Sequence, residues 1–449
     1  MKRYHVITFG CQMNFYDSER LMGLLAERGW LPAETMETAD FIFLNACSIR
    51  AKAAQRVITR LLELKPFKKK RPELLIGVGG CLAEQEGANF LQKVPFLSLV
   101  AGPRRLLEIP ELLATLDPQG PAQILVGNGA PQPTRPILAP DRSVLSSSIT
   151  IMEGCDNFCA YCVVPYLRGR ETSRPPQDIL QEAASLIAQG CREITLLGQN
   201  VNSYAPAGAS LGDREPAFVT LLKKLASFPD LWRLRFTTSH PKDFSARLIE
   251  LFGSLPVLAP RLHLPLQSGS DKVLKAMGRH YDLQQYFSLV DQLRRAQPGL
   301  SLSTDIIVGF PGETEEDHQL TIEALEKIRF DAIFSFKYSD RPQTRAINLP
   351  DKLSEEEKGR RLTQIQQIQR AITLDINQAL VGQTVSVLVT GPGRRPGQMS
   401  GRDGTLKIVN FPGPPELYGQ MVSTRVTEAY HASLLGQLAQ TPETEAKSA

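Results

Sequence analysis

The stretch Met152-Glu153-Gly154-Cys155-Asp156-Asn157-Phe158-Cys159-Ala160-Tyr161-Cys162 places three of the chain's seven cysteines within eight residues. A trans backbone advances at most about 3.3–3.6 Å per residue, so thiols at this spacing can fold around one compact iron–sulfur cube from a single loop. A structural zinc would want four protein ligands, usually as two separated pairs. No second cysteine pair or close histidine follows this triplet. The competing readings are a zinc-holding loop and a merely buried cysteine loop.

In a cubane cluster the usual four cysteines close every iron; three leave one iron open. An open, reducible iron can chelate the amino and carboxylate groups of S-adenosylmethionine beside a sulfonium that electron transfer cleaves, giving a carbon radical able to remove an unactivated hydrogen. The Cys-x3-Cys-x2-Cys spacing, with Tyr161 just before the third cysteine, resembles the signature of the radical S-adenosylmethionine superfamily.

A chain of 449 residues suffices for about three domains, and its 42% hydrophobic and 22% charged content is that of a globular protein. No segment approaches the roughly twenty apolar residues of a membrane span, and the amino terminus carries no apolar run behind its charges. An odd cysteine count argues against a disulfide framework, and thiolates reserved for iron need a reducing compartment. A cytoplasmic protein is expected, with no membrane partner. The net charge of +4 permits an RNA partner without demonstrating one.

Residues 1–117 read as a first domain. His5–Phe9, Phe41–Asn45 and Leu74–Val78 are apolar runs of strand length, and helical patterns over Asp17–Arg28 and Ile49–Leu64 lie between them. This alternation predicts βαβ units with a parallel sheet. Each run is followed at once by a cysteine: Cys11, Cys47 and Cys81. In an open α/β sheet the ligand crevice lies at the carboxyl ends of the strands, so a second three-cysteine cluster is expected there, against the alternative of ordinary buried thiols. Gln12-Met13-Asn14 either hydrogen-bonds to that site or serves as turn and cap.

A proline-rich linker over 118–143 contains Pro118, Pro121, Pro131, Pro133, Pro136 and Pro140. The core, 144–375, resumes the alternation. Ser147–Met152, Glu193–Gly198, Trp232–Thr237, Arg261–Pro265, Ser301–Val308 and Ala332–Tyr338 read as strands, with helices such as Asp178–Gln189, Phe244–Phe252, Leu283–Arg295 and Glu315–Ile328 between them. Six units predict a partial (β/α)6 barrel, whose chemistry sits at the carboxyl ends of its strands. Polar groups at that mouth, Gly198, Gln199, Asn200, Ser239, His240, Gln267, Ser268 and Asp305, are candidates for holding a ribose, an adenine and a zwitterion. Of these we take Gly198, Gln199, Ser239, Gln267 and Asp305 as the cofactor-binding set. The turn Gly309-Phe310-Pro311-Gly312-Glu313 resembles one that superfamily members place near adenine. Cys191 reads as a packing thiol.

After a charged helical run, Leu353–Leu380, residues 376–439 change to strands at Thr384–Thr390, Leu406–Asn410 and Met421–Thr427 with glycine-rich turns, predicting a small antiparallel barrel. Arg394, Arg395, Arg402, Lys407 and Arg425 are either phosphate contacts or a solvated basic face, and Phe411 either stacks on a base or fills the core. Residues 440–449 read as a disordered tail.

Together the parts resemble the methylthiotransferases: α/β proteins that join an amino-terminal cluster domain, a radical S-adenosylmethionine core and a TRAM domain. Thr8-Phe9-Gly10-Cys11-Gln12-Met13-Asn14, Cys162-Val163-Val164-Pro165-Tyr166, Leu197-Gly198-Gln199-Asn200-Val201-Asn202-Ser203-Tyr204, Leu266-Gln267-Ser268-Gly269-Ser270 and Ser303-Thr304-Asp305-Ile306-Ile307-Val308-Gly309-Phe310-Pro311-Gly312-Glu313 are similar to the MiaB-type transfer-RNA branch. The branches acting on threonylcarbamoyl-adenosine or on a ribosomal protein typically carry Lys-Val-Asn or Pro-Lys-Asn where this chain has Gln12-Met13-Asn14. Gln343 and Arg345 stand where relatives usually have glycine and proline, and the turn around Asp403 is atypical of the TRAM motif. The resemblance implies methylthiolation of N6-isopentenyladenosine beside the anticodon of a transfer RNA. It implies two S-adenosylmethionine molecules and two [4Fe-4S] clusters, one on Cys155, Cys159 and Cys162 for radical generation and one on Cys11, Cys47 and Cys81 for sulfur transfer. No catalytic residue beyond the cluster ligands is expected; a sulfur source and an electron donor come from outside a monomeric chain. An iron–sulfur RNA-binding protein or redox sensor without turnover is the reading from another class.

Overall fold

The computed structural model describes residues 1–48, 51–129, 137, 145–208 and 215–439. Ile49, Pro131, Pro133, Pro136, Pro140 and the expected tail lie outside the described residues. The chain divides into two compact units. The first takes Met1 to Phe158, Cys162–Leu231 and Arg341–Thr344; the second takes Cys159–Tyr161, Trp232–Asp340 and the chain from Arg345 onward.

The first unit opens with an all-parallel sheet of β1 (Arg3–Phe9), β2 (Leu31–Pro32), β3 (Phe41–Ala46), β4 (Leu75–Gly79), β5 (Leu99–Ala101) and β6 (Gln123–Leu125), in the spatial order β2-β1-β3-β4-β5-β6. Both faces are covered, as parallel sheets require. Ile42 and Leu44 face one apolar layer with Val78, Leu82 and Phe90. Phe41 and Phe43 face the other with Leu21, Leu25 and Leu106. The three expected strands are present, each within two residues of its expected ends. β6 falls inside the stretch read as linker, where its backbone completes the edge of the sheet. Helix Gln12–Glu27 starts five residues before the expected Asp17. The residue at its cap is Cys11, which makes no side-chain cap hydrogen bond, so none of the usual Ser, Thr, Asp or Asn signals marks the start.

The six strand–helix units follow in chain order. β7 (Ser146–Thr150) is succeeded by the ribbon of β8 (Met152–Glu153) and β9 (Thr172–Ser173), and β7 pairs in parallel with β10 (Glu193–Leu197) inside the first unit. β11 (Arg233–Phe236), β12 (Arg261–His263), β13 (Ser301–Val308) and β14 (Ala332–Lys337) belong to the second, where β12, β13 and β14 form a parallel sheet. Helices Ala217–Ala226 and Asp271–Met277 are additions to the sequence reading. Helix Glu355–Gln378 packs on β14, the buttress expected of the Leu353–Leu380 run.

The chain ends in a closed barrel of β15 (Thr384–Pro392), β16 (Gln398–Arg402), β17 (Ile408–Pro412), β18 (Met421–Ala429) and β19 (Leu434–Leu438), ordered β15-β16-β17-β19-β18. Its pairings are antiparallel except for a parallel contact of β17 with β19. β16 escaped the sequence reading because glycine weakens a strand pattern. Gly401 is needed there, since a Cβ would lie 2.4 Å from the Leu388 carbonyl oxygen. Phe411 is wholly buried among Val387, Val389 and Met399, so it fills the core and does not stack on a base. Among the described residues no helix is long and apolar enough to cross a membrane.

Candidate active site

Parallel register decides where the first three cysteines go. Phe9 stands beside Ala46 and Asn45 beside Gly79, so β1, β3 and β4 are neighbours and Cys11, Cys47 and Cys81 leave the same edge of the sheet. Two glycines permit the approach. At Gly10 a Cβ would lie 2.8 Å from the Cys47 Cβ. At Gly80, with φ +85°, it would lie 2.6 Å from the Ala46 carbonyl oxygen. Asn14 resolves the choice left for Gln12-Met13-Asn14 at one position: it accepts from Cys11 Sγ at 3.3 Å and donates to Asn45 Oδ1 at 3.0 Å. Asn45 in turn donates to the Asn14 carbonyl at 2.9 Å and to Ser18 Oγ at 3.0 Å.

The electrostatics suit thiolates. The hydrogen bond with Cys47 holds Cys11 at about 5, with Arg168 adding to the effect; a thiol at a helix start beside a cation is favoured as its anion. Burial pushes Cys81 up, and the Arg168 charge opposes it. Arg168 is 3% exposed and donates through Nη2 to Asp17 Oδ2 at 2.7 Å. Arg341 donates to the Ser48 carbonyl at 3.1 Å, bringing a second guanidinium next to Cys47. Cys47 and Cys81 are buried and Cys11 is exposed, so the set has one solvent-facing member. Among the described residues no three His, Cys, Asp or Glu side chains are gathered tightly enough for one metal ion. Thiolates that bind three different irons of a cube stand further apart than ligands of a single ion. The donor set, two guanidinium groups beside three thiols, fits an anionic cluster.

Cys155 and Cys162 belong to the first unit and Cys159 to the second. In the first, Gly154 has φ +79° and donates its N–H to Gln199 Oε1 at 2.6 Å, while Cys155 N–H donates to the Gly169 carbonyl at 3.1 Å. Asn157 Nδ2 donates to Cys155 Sγ at 3.4 Å. Gly198 sits against Met152, whose Cγ would be 2.6 Å from a Cβ.

In the second unit Ala160 N–H donates to the Met277 carbonyl at 2.8 Å, and Ala346 N–H donates to the Ala160 carbonyl at 2.9 Å, pinning the residue after Cys159 from two sides. Arg279 is buried and donates to Cys159 Sγ at 3.5 Å, Tyr281 Oη at 3.2 Å and the Pro265 carbonyl at 3.3 Å. Gln267, at φ +72°, donates its N–H to the Asp305 carbonyl at 2.8 Å, and its buried Oε1 has no hydrogen-bond partner. Asp305 Oδ2 lies 3.4 Å from His263 Nε2. Ser239 Oγ donates to the His263 carbonyl at 2.8 Å. Burial, with Arg279 adding, pulls His240 down to about 2, so its imidazole is neutral; its Nδ1 accepts from the Lys242 N–H at 3.3 Å. Glu313 accepts from the Gly309 N–H at 2.9 Å and from Arg361 at 2.7 Å, closing the Gly309–Glu313 turn. Cys191 is wholly buried and donates to the Glu193 carbonyl, a packing thiol. Sequence reasoning missed Arg168, Asp17, Arg279 and His263. An isolated arginine or aspartate carries no spacing signal, although Arg168 does follow Cys162 closely.

The chain matches family models in three blocks: the Uncharacterized protein family UPF0004 at residues 3–102, the Radical SAM superfamily at 149–325 and the TRAM domain at 378–439. The tRNA-2-methylthio-N(6)-dimethylallyladenosine synthase of Geotalea uraniireducens strain Rf4 is 42% identical over 439 residues, covering 97% of this chain and 99% of that protein. The chain belongs to this synthase family. Another synthase of the same name, from Syntrophotalea carbinolica, is 44% identical over 441 residues, 97% of this chain and 100% of that protein. Among solved structures, the radical S-adenosylmethionine methyltransferase TsrM from Kitasatospora setae, with cobalamin and a [4Fe-4S] cluster bound, aligns at a TM-score of 0.56 and 15% identity. That alignment covers 89% of this chain and 81% of TsrM, and it speaks to the fold alone. The first block holds β1 to β5, the second runs from within β7 to the helix before β14, and the third spans the closed barrel.

Proposed function

We propose that this chain converts N6-dimethylallyladenosine (isopentenyladenosine) beside the anticodon of a transfer RNA into its 2-methylthio derivative. One observation carries the reading: Cys11, Cys47 and Cys81 leave the carboxyl ends of three adjacent parallel strands, a second thiol set that radical generation alone would not need. The two [4Fe-4S] clusters and two S-adenosylmethionine molecules supply, when bound, a 5′-deoxyadenosyl radical for hydrogen removal at adenine C2 and a sulfur that accepts a methyl group. Cys155, Cys159 and Cys162 hold the first cluster; Cys11, Cys47 and Cys81 hold the other.

The chain's own side chains bind, orient and compensate charge. Gly198, Gln199, Ser239, Gln267 and Asp305 are assigned to S-adenosylmethionine. Gln199 shapes the loop by accepting from Gly154, and Ser239 is spent on His263. Gln267 keeps an unmade buried acceptor for the cofactor's donors, and a buried polar atom without a partner is costly enough to mark a ligand position. In the carboxyl-terminal barrel, which we assign to transfer-RNA binding, exposed Arg394, Arg395 and Arg425 are free to meet phosphates. Lys407 is committed to Asp331 at 2.6 Å. We assign residues 1–117 to the cluster domain, 118–143 to the linker, 144–375 to the radical core and 376–439 to the TRAM domain of a monomeric enzyme that takes sulfur and electrons from outside.

The test is an anaerobic assay of reconstituted protein with dithionite, S-adenosylmethionine and transfer RNA carrying isopentenyladenosine, read by mass spectrometry of nucleosides. Methylthiolated nucleoside from wild type, and from neither Cys11→Ala nor Cys159→Ala, is the expected result. Formation of 5′-deoxyadenosine with no modified nucleoside, on a substrate that a competent enzyme accepts, would remove the substrate assignment and leave the radical one.

A further inference from the structure

We propose that Arg168 is a positioning residue of the Cys11–Cys47–Cys81 site, whose Nη1 donates a hydrogen bond to the anionic sulfur carried there before transfer. The inference rests on the proposed function for the presence of that sulfur, and on four observations for the role of Arg168.

The backbone holds Arg168 firmly. It closes the short helix Val164–Leu167 with its N–H on the Val164 carbonyl at 2.8 Å. The next residue, Gly169, has φ +75°, and a Cβ there would lie 2.5 Å from Arg104 Nη1. The packing puts the side chain in the right place, since Val163 and Leu167 form one buried cluster with Cys81. The charge suits the site: the guanidinium acts electrostatically on both Cys11 and Cys81.

The fourth observation decides the direction. Nη2 is spent on Asp17 Oδ2 at 2.7 Å and the guanidinium also meets the Cys81 thiol, whereas the Nη1 atom is buried without a hydrogen-bond partner and Glu153 Oε1 at 3.9 Å is beyond its reach. A buried charged donor left unmade costs more than a neutral one, so an acceptor supplied by a ligand accounts for it best. Because Asp17 anchors one arm of the rigid planar fork, the other arm points in a fixed direction. A soft anion such as hydrosulfide or methanethiolate takes such a donor well, since charge-assisted bonds are the stronger ones. Lysine would bring the charge without the fork.

The test uses the full-length chain carrying Cys155→Ala, Cys159→Ala and Cys162→Ala, so that only the other cluster assembles. Iron content is measured first, then the cluster's reduction potential, then binding of 77Se-labelled methaneselenolate by electron paramagnetic resonance. In the Arg168→Lys background we expect full iron, methaneselenolate affinity reduced by at least about tenfold, the loss of one charge-assisted hydrogen bond, and a lower reduction potential. Asp17→Asn with Arg168→Gln, which removes both buried charges together, should show the same weakening. Unchanged affinity and potential in an iron-replete Arg168→Lys protein would overturn the inference, as would loss of iron from both variants, which would make Arg168 only a brace. Absence of iron from the parent itself would instead remove the second cluster, a failure of the proposed function that the iron count identifies separately.

Discussion

The loop Cys155–Cys162 and the set Cys11, Cys47 and Cys81 supply the same three thiols by opposite means. The loop gathers its thiols by local closure, because only three and two residues separate its cysteines and short loops cost little entropy to close. The other set is drawn from three separate βα turns, and it exists only while β1, β3 and β4 keep their parallel register. The spacing of the loop is therefore fixed along the chain, although Met277 and Ala346 still hold the residue after Cys159, and the sheet-edge set inherits the stability of the sheet. Their surroundings differ accordingly: Cys159 is met by one arginine, Arg279, whereas the sheet-edge set lies beside Arg168 and Arg341.

The sharpest test of this contrast is chemical. Cys47→Ala and Cys159→Ala should each take methylthiolated nucleoside below detection, but only Cys159→Ala should also abolish 5′-deoxyadenosine, measured by chromatography of the same reactions. Equal loss of 5′-deoxyadenosine in Cys47→Ala would break the division of labour between the two sets.

Next in size is a packing test. A Cβ at Gly79 would lie 2.3 Å from Phe43 Cζ and 2.7 Å from Leu106 Cδ2, so Gly79→Val overpacks the sheet directly before Cys81. Such overpacking costs about 1–3 kcal/mol. A lowered urea midpoint with iron lost from the sheet-edge cluster alone is expected, by iron analysis against the Cys155→Ala, Cys159→Ala, Cys162→Ala background. Retention of all iron would mean the sheet does not gather those cysteines.

A smaller, pH-dependent effect belongs to the second unit, where the turn after Gln267 is held by side chains and not by strand pairing. Asp317 accepts from Ser270 Oγ at 2.6 Å and from Lys272 at 2.7 Å. Burial would raise its carboxyl, but these bonds and those from Thr314 outweigh it and hold the group at about 2. A carboxylate depressed on folding stabilises the protein above its ordinary range near pH 4, and that contribution fades as pH falls toward 2. Because Lys272 is 60% exposed, the effect should be about 1 kcal/mol after solvent screening. Urea melts of the metal-free chain between pH 6 and pH 2.5 should show it, and Asp317→Asn should flatten that part of the profile.

The smallest expected change is a gain. Gln343 occupies φ +68°, a left-handed conformation that glycine adopts without strain. Gln343→Gly should raise the unfolding free energy from urea melts by roughly 0.5–1 kcal/mol, with a higher midpoint, the relief of one strained residue less the added freedom of the unfolded chain. An unchanged or lower midpoint would show that the Gln343 side chain repays its backbone.

Much of the architecture was readable without coordinates. Three strands of the first sheet, β1, β3 and β4, and the six of the core follow from apolar runs of strand length, and helices such as Glu315–Ile328 from their periodicity. β16 and β19 were missed because strands containing Gly401 or Gly436 lack a clean alternation, and the early start of helix Gln12–Glu27 because a cysteine occupies its cap. The edge strand β6 hid in a proline-rich stretch, since its pairing is made by backbone and needs no side-chain pattern.

By itself the sequence determined what depends on spacing along the chain: the three-thiol loop, the placement of a cysteine directly after each of three strands, and the order of βα units. Only the tertiary structure decided what depends on partners distant in sequence. It made β1, β3 and β4 neighbours, set Arg168 on Asp17, brought Arg279 to Cys159, buried Phe411 and tied Lys407 to Asp331. The reason is physical. Strand and helix patterns are written into nearest neighbours, whereas the field and hydrogen bonds around a buried group come from side chains that only folding brings within a few ångströms.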